Sequence, residues 1–106
     1  NVGGGVISEM QSFIRQHYNE NISLNMLAEQ FYMHPNYLSR LFKEKTGENF
    51  VEYLTEVRMQ KAQELLRDSE YKIIEICGMV GYDNPRSFSK AFKHFTGMTP
   101  RECRER

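Results

Sequence analysis

The sequence predicts an all-α fold of two helix-turn-helix units that one long helix joins. Three observations predict it: residues 27–47 and 76–97 repeat one pattern, apolar residues recur at helical spacing, and no segment shows strand alternation. The offset between the copies is 49 residues up to the turn and 50 after it. At the offset of 50, identical residues recur at Pro35 and Pro85, Ser39 and Ser89, Phe42 and Phe92, Lys43 and Lys93, Thr46 and Thr96, and Gly47 and Gly97. Two copies indicate an internal duplication and not a solenoid, which needs at least three.

The N-terminal segment precedes both copies. Residues 1–5 are neutral and glycine-rich, so we expect a disordered leader or a sequence left by cloning. Because the chain does not begin with Met, we expect it to be a piece of a longer protein. The next segment carries Ile7, Met10, Ile14 and Tyr18 at helical spacing, which predicts a helix that packs on the first unit.

The first unit is predicted to span about residues 6–49. Its first helix follows Ser23 as N-cap and has one apolar face, formed by Leu24, Leu27, Ala28 and Phe31. Its second helix, about 35–46, begins at a proline in the first helical position and ends before Gly47, which is suited to a left-handed C-cap.

A single helix over residues 50–68 is predicted between the units. One side of this helix carries Phe50, Tyr53, Leu54 and Val57, and a different side carries Met59, Ala62, Leu65 and Leu66. A helix that buries different faces at its two ends bridges two packing units. At 1.5 Å per residue it is roughly 28 Å long.

The second unit, about 72–104, repeats the plan of the first. Its second helix, about 85–96, begins at Asn84-Pro85 and ends before Gly97. Cys77 matches Ala28, and both are small residues where two helices cross steeply.

Composition excludes several protein classes. The hydrophobic content of 40% and charged content of 26% argue against disorder. The apolar runs are too short for a membrane helix, and the start of the chain has no features of a signal peptide. The two cysteines, Cys77 and Cys103, suit a reducing compartment, so we expect a cytoplasmic protein without a membrane association.

The net charge of zero conceals a strong segregation of charge. Residues 34–47 and 84–97, which contain the second helix of each unit, hold six basic residues and one acid, Glu44, a net charge of +5. The rest of the chain therefore carries −5. Since phosphate binding depends on the local patch, this segregation favours a nucleic-acid partner. A single basic helix face is often only a solvated surface, but two matching faces in duplicated units favour binding.

The residues of both copies together resemble the DNA-binding domain of the AraC/XylS family of bacterial transcription regulators. The resemblance covers about residues 22–104 and rests on the run 35–43, Thr46-Gly47, Arg58, Ala62, Leu65, Leu66, Ile76, residues 80–82, the run 88–93, Gly97, Thr99-Pro100 and Arg104. It implies about seven helices and two recognition helices, the second helix of each unit, which enter successive major grooves on one face of double-stranded DNA. A bridging helix of the predicted length agrees with a spacing of about one DNA turn, ~34 Å.

The resemblance also implies roles for individual residues. The base-contacting positions carried over are Asn36, Ser39 and Arg40 in the first recognition helix and Arg86, Ser87 and Lys90 in the second. Lys43, Lys45, Arg58 and Lys93 are predicted to contact phosphates, and for Lys43, Arg58 and Lys93 the alternative is that they brace the backbone. The sequence departs from the family pattern at His34, Cys77 and Cys103, and the last of these bears on the packing of the C-terminal turn.

The first unit looks most like the output domain of a two-component response regulator. A sensor or receiver domain in the missing N-terminal part and RNA polymerase are then the expected partners. We expect a monomeric isolated domain in a regulator that acts more as an activator than as a repressor.

The basic faces are also compatible with two other functions. A helical protein-interaction module, or a nonspecific nucleic-acid binder, would also tolerate basic faces. The sequence shows no set of acid, base and nucleophile, so no enzyme is expected. His17, His34 and His94 lack the spacing of metal ligands, so neither a metal nor a cofactor is expected.

Overall fold

The computed structural model describes the backbone of residues 2–106 and the side chains from residue 5 onward, and in this range it contains seven α-helices and no strand. They are α1 (Val2–His17), α2 (Leu24–Gln30), α3 (Pro35–Thr46), α4 (Phe50–Asp68), α5 (Ile73–Met79), α6 (Pro85–Thr96) and α7 (Pro100–Glu105). The all-α prediction is confirmed. The two recognition helices, α3 and α6, have the bounds that their prolines and glycines predict.

Of the disordered leader predicted at residues 1–5, Asn1 lies outside the described residues, and the backbone of the other four belongs to α1. Neither Asn1 nor the side chains of residues 2–4 are described, although the helical backbone of α1 is traced from Val2.

The chain divides into two compact units, Asn1–Leu54 (unit 1) and Thr55–Arg106 (unit 2), so the boundary falls within α4. The predicted change of face explains this position. The start of α4 buries Phe50, Tyr53 and Leu54, whereas its later turns bury Met59, Ala62 and Leu66. Each end of the helix therefore belongs to a different core.

In unit 1, α1 and α2 pack against α3. Met10 and Ile14 of α1, Leu27 of α2, and Leu38 and Phe42 of α3 are fully buried. The Tyr53 ring meets Phe42 edge-on at 5.5 Å between centroids, and its hydroxyl accepts a hydrogen bond from Arg15 at 2.7 Å. Burial of this apolar set holds α3 in place.

In unit 2, α5 and α7 pack against α6. Ile76, Val80, Phe88, Phe92 and Cys103 are fully buried, so the cysteine, at which the sequence departs from the family it resembles, packs as a small apolar residue. Cys77 and Cys103 are both free thiols.

Arg104 of α7 ties the end of α4 to the segment that follows. Its guanidinium donates to the carbonyl oxygens of Leu66 at 3.1 Å, Ser69 at 3.0 Å and Leu65 at 3.5 Å, and also to that of Tyr71. Carbonyls at the C-terminal end of a helix lack partners within the helix, so the side chain caps α4 from outside.

A threonine network recurs at the end of each recognition helix. Thr46 Oγ1 donates to the carbonyl of Phe42 at 2.8 Å and accepts from the N–H of Glu48 at 3.2 Å. Thr96 does the same with Phe92 and Met98, at 2.8 and 3.2 Å. The duplication therefore extends from the sequence to individual hydrogen bonds.

The helices of residues 2–106 include none with the combination of length and apolarity that crossing a membrane requires.

Candidate nucleic-acid interface

Unit 1 fixes both ends of α3. His34 is its N-cap, and the Nδ1 atom accepts a hydrogen bond from the backbone N–H of Asn36 at 3.1 Å. Pro35 occupies the first turn, and Gly47 ends the helix with φ 85°, the left-handed conformation that glycine adopts without steric cost. His34, at which the sequence departs from the family it resembles, thus acts as the cap.

One side of α3 is buried and the other is exposed. Leu38, Leu41 and Phe42 are buried. The exposed arc, which we call the α3 face, consists of Asn36, Tyr37, Arg40, Lys43 and Glu44. It carries two cations and one carboxylate.

Two of the residues predicted for this interface lie away from the centre of the α3 face. Ser39 is half-buried, about 60° round the helix from Asn36 on the side of Phe42. Lys45 is exposed but lies about 180° from Asn36. The structure therefore groups Asn36, Arg40 and Lys43, with Ser39 at the margin and Lys45 on another side.

Unit 2 caps α6 in a similar way. Asn84 Oδ1 accepts from the N–H groups of Arg86 at 2.8 Å and Ser87 at 3.4 Å, and Gly97 ends the helix with φ 83°. Phe88 and Phe92 are buried, and the Phe88 ring meets Tyr82 edge-on at 5.7 Å between centroids.

The exposed arc of α6, here called the α6 face, consists of Arg86, Ser87, Lys90, Lys93 and His94. It groups all four α6 residues that the sequence predicted for DNA contact. The α6 face carries three cations, Arg86, Lys90 and Lys93, and no carboxylate, so it is more positive than the α3 face.

Arg58 takes part in a contact within unit 2. Its guanidinium carbon lies 5.5 Å from the centroid of the Tyr82 ring, a cation–π distance. Burial lowers the pKa of the Arg58 guanidinium, while Tyr82 and Asp83 act in the opposite direction. Since Tyr82 and Asp83 directly precede Asn84, the N-cap of α6, Arg58 holds the segment that leads into α6. A phosphate contact by Arg58 stays a prediction.

Sequence reasoning left out three residues of the two faces: Tyr37, Glu44 and His94. Tyr37 is 52% exposed and matches Ser87 at the offset of 50. The repeat alignment could have identified it, because a contact position in one copy implies the same position in the other. Glu44 and His94 also match each other, so the two faces differ in charge at this position.

The side chains described from residue 5 onward include no group of three or more His, Cys, Asp or Glu residues that could hold a metal ion. The chemistry that the two faces offer consists of hydrogen bonding and positive charge.

Comparisons with known proteins agree with this arrangement. A family model described as "Helix-turn-helix domain" matches residues 27–106. The chain is 40% identical over 108 residues to the uncharacterized transcriptional regulatory protein YesN of Bacillus subtilis, and the match covers 98% of the chain but only 29% of YesN.

Solved structures with a similar fold are also DNA-binding or response-regulator domains. The C-terminal domain of AraT, a response regulator from Geobacillus stearothermophilus, matches with a TM-score of 0.92 and 38% identity over 94% of this chain and 84% of that chain. The DNA-binding domain of the global transcriptional factor AdpA, solved with a target DNA, matches with a TM-score of 0.89 and 27% identity, covering 93% and 89% of the two chains.

Proposed function

Because the chain belongs to the AraC-type family of helix-turn-helix transcription regulators, we propose that it binds double-stranded DNA at specific sequences through α3 and α6. The observation that carries the proposal is the pair of exposed, cationic faces on two duplicated and capped helices. The AdpA domain, which has a similar fold, was solved with a target DNA and supports the same proposal.

The base contacts are assigned to polar side chains near the start of each recognition helix. In α3, Asn36 can pair with adenine and Arg40 with the O6 and N7 atoms of guanine, while Ser39 contacts the base pairs at the margin. In α6, Arg86 and Lys90 can donate to guanine and Ser87 to several bases. Recognition helices in other helix-turn-helix proteins also read bases with their N-terminal residues.

The phosphate contacts are assigned to cations further along the helices. Lys43 and Lys93 each lie one turn beyond the base-reading residues, on the same exposed face. Lys45 and Arg58 complete the proposed set, with Lys45 reaching a backbone from the other side of α3. Such contacts position a protein on the duplex and carry little sequence information.

The wider role is that of a transcription regulator. The similarity to AraT, a response regulator, supports a receiver domain elsewhere in the full-length protein, which would control this domain. We propose that the full-length protein acts in the cytoplasm, contacts RNA polymerase and activates transcription more than it represses it.

Selection of bound duplexes from random DNA tests the proposal. We expect a recovered site with two different halves, because the α3 and α6 faces differ, bound by one copy of the isolated domain. A sequence that recurs among selected duplexes and binds at least 1000-fold more tightly than a scrambled duplex is expected. Equal affinity for all duplexes would instead favour a nonspecific binder, and no binding would favour a protein-interaction module.

A further inference from the structure

The turn between α2 and α3 holds a tyrosine in a backbone conformation that favours glycine. Tyr32 has φ 57°, and it is the one non-glycine residue with a positive φ among the described residues. Its side chain is 95% exposed. Left-handed conformations are strained for residues with a bulky side chain, because the Cβ atom crowds the following carbonyl oxygen.

The equivalent turn of unit 2 shows that the fold does not require a tyrosine here. Gly81 occupies the same place, with φ 97°. The N–H of Tyr32 donates to the carbonyl of Glu29 at 3.2 Å, and that of Gly81 donates to Gly78 at 3.1 Å. The next N–H in each turn, of Met33 or Tyr82, reaches back five residues at 2.8 or 3.0 Å. The two turns are built alike, and glycine satisfies this geometry without strain.

The exposed ring of Tyr32 offers no packing that would compensate for this strain. Strained residues persist where the surrounding structure imposes them, and they cluster at sites of function. The strain and the exposure together favour a contact of this side chain with something outside the unit.

The position of Tyr32 indicates which partner it meets. It lies two residues before His34, the N-cap of α3, and four before Asn36, the first proposed base-contacting residue. In helix-turn-helix proteins, the start of the recognition helix enters the groove and the preceding helix crosses the DNA backbone. A residue in the turn that joins these two helices therefore lies close to the sugar-phosphate backbone.

We propose that the Tyr32 hydroxyl donates a hydrogen bond to a phosphate oxygen of duplex DNA, beside the base pairs that α3 contacts. Tyrosine hydroxyls are among the donors that bind DNA phosphates. The contact rests on the proposed DNA-binding function, and it adds to unit 1 an anchor that Gly81 cannot provide in unit 2.

Substitution of Tyr32 by Gly and by Phe tests the contact, because the two variants have different effects on folding. Tyr32→Gly relieves the backbone strain, so its melting temperature stays the same or rises by a few degrees. Tyr32→Phe retains the strain and the ring and loses only the hydroxyl. Both variants are expected to bind the selected duplex about three- to tenfold more weakly, the value of one hydrogen bond.

The measurement is the Kd of each variant for the selected duplex and for a scrambled duplex, at several salt concentrations. Both affinities should fall alike, since a phosphate contact carries no sequence information. The slope of log K against log salt should stay unchanged, because a neutral hydroxyl releases no counterion. Val51→Ala, which truncates an exposed apolar side chain elsewhere in unit 1, is the matched control and should bind like the unaltered domain.

Three results would overturn the assignment: unchanged affinity in both variants, a loss in Tyr32→Gly alone, or a loss confined to the selected duplex. The first would leave Tyr32 without a DNA contact, the second would exclude its hydroxyl, and the third would make it a base-reading residue. A failure of the unaltered domain to bind either duplex would contradict the proposed function itself.

Discussion

Salt dependence is the most direct physical test of the two cationic faces, because the net charge of the chain is zero. The α3 and α6 faces present five exposed cations: Arg40, Lys43, Arg86, Lys90 and Lys93. These five neutralise phosphate charge along the grooves whether or not they also reach a base, so they alone contribute about −4.5 to the slope of log K against log salt. Raising the salt from 50 to 200 mM should then weaken binding about 500-fold.

Substitution of two of these cations tests whether the faces are responsible. The double variant Lys43→Ala, Lys93→Ala should have a slope of about −2.7, so the same change of salt weakens binding only about 40-fold. Lys61→Ala is the control for the loss of one cation outside the two faces, because Lys61 lies on α4 and pairs with Glu64 at 3.2 Å. Fluorescence anisotropy of a labelled duplex gives both slopes. A slope near zero for the unaltered domain, or a Lys61→Ala variant that flattens the slope as much as one face substitution does, would exclude the two faces as the source of the salt dependence.

Three further predictions concern single residues. Arg40→Ala should reduce the free energy of binding to the selected duplex by about 1–3 kcal/mol and relax the preference at one base pair, whereas Lys93→Ala should weaken binding to all duplexes alike. Competition binding with single-base variants of the duplex checks this. Equal, sequence-independent losses in both variants would contradict the assigned roles. Arg104→Ala removes the guanidinium that caps α4, so the free energy of unfolding should fall by about 2–3 kcal/mol and the melting temperature by about 10–20 °C. Arg101→Ala, on the exposed side of α7, is its control, and equal melting temperatures for these two variants would refute the cap. The backbone N–H of Thr99 donates to the Glu102 carboxylate at 2.7 Å, which lowers the pKa of Glu102 below its ordinary value of 4.5. A carboxyl group whose pKa is lower in the folded state stabilises the fold above its unfolded pKa and loses this effect as the pH falls. Urea titrations should therefore find Glu102→Gln less stable than the unaltered domain at pH 7, and the difference in the free energy of unfolding should shrink below about pH 4.5. A difference that does not depend on pH would refute this role of the Glu102 carboxylate.

The helix bounds could be predicted because local residues determine them. A proline in the first turn and a glycine after the last turn mark both ends of α3 and α6, and these signals act within a few residues. The change of the buried face along α4 could also be predicted, since the spacing of apolar residues alone indicates it.

Contacts between distant residues could not be predicted in this way. Arg104 was recognisable only as part of a resemblance, because its carbonyl partners lie 33 to 39 residues earlier in the chain. The cation–π contact of Arg58 with Tyr82 likewise depends on how α4 packs within unit 2. The strain at Tyr32 could not be predicted, because it lies in a backbone dihedral angle. The sequence repeat shows only that Tyr32 aligns with Gly81.

The duplication separates the residues that build a unit from those that face outward. The first-turn prolines, the buried pair Phe42 and Phe92, and the Thr-Gly ends of α3 and α6 are the same in both copies, because the same packing and the same hydrogen bonds constrain them. The exposed faces are free of these constraints, and they differ at four of five positions, Lys43 and Lys93 being the shared pair. Since the α3 face includes a carboxylate and the α6 face does not, nonspecific attraction to phosphate should be weaker in unit 1. Binding by unit 1 should therefore depend more on the fit of Asn36 and Arg40 to particular bases, and binding by unit 2 more on charge.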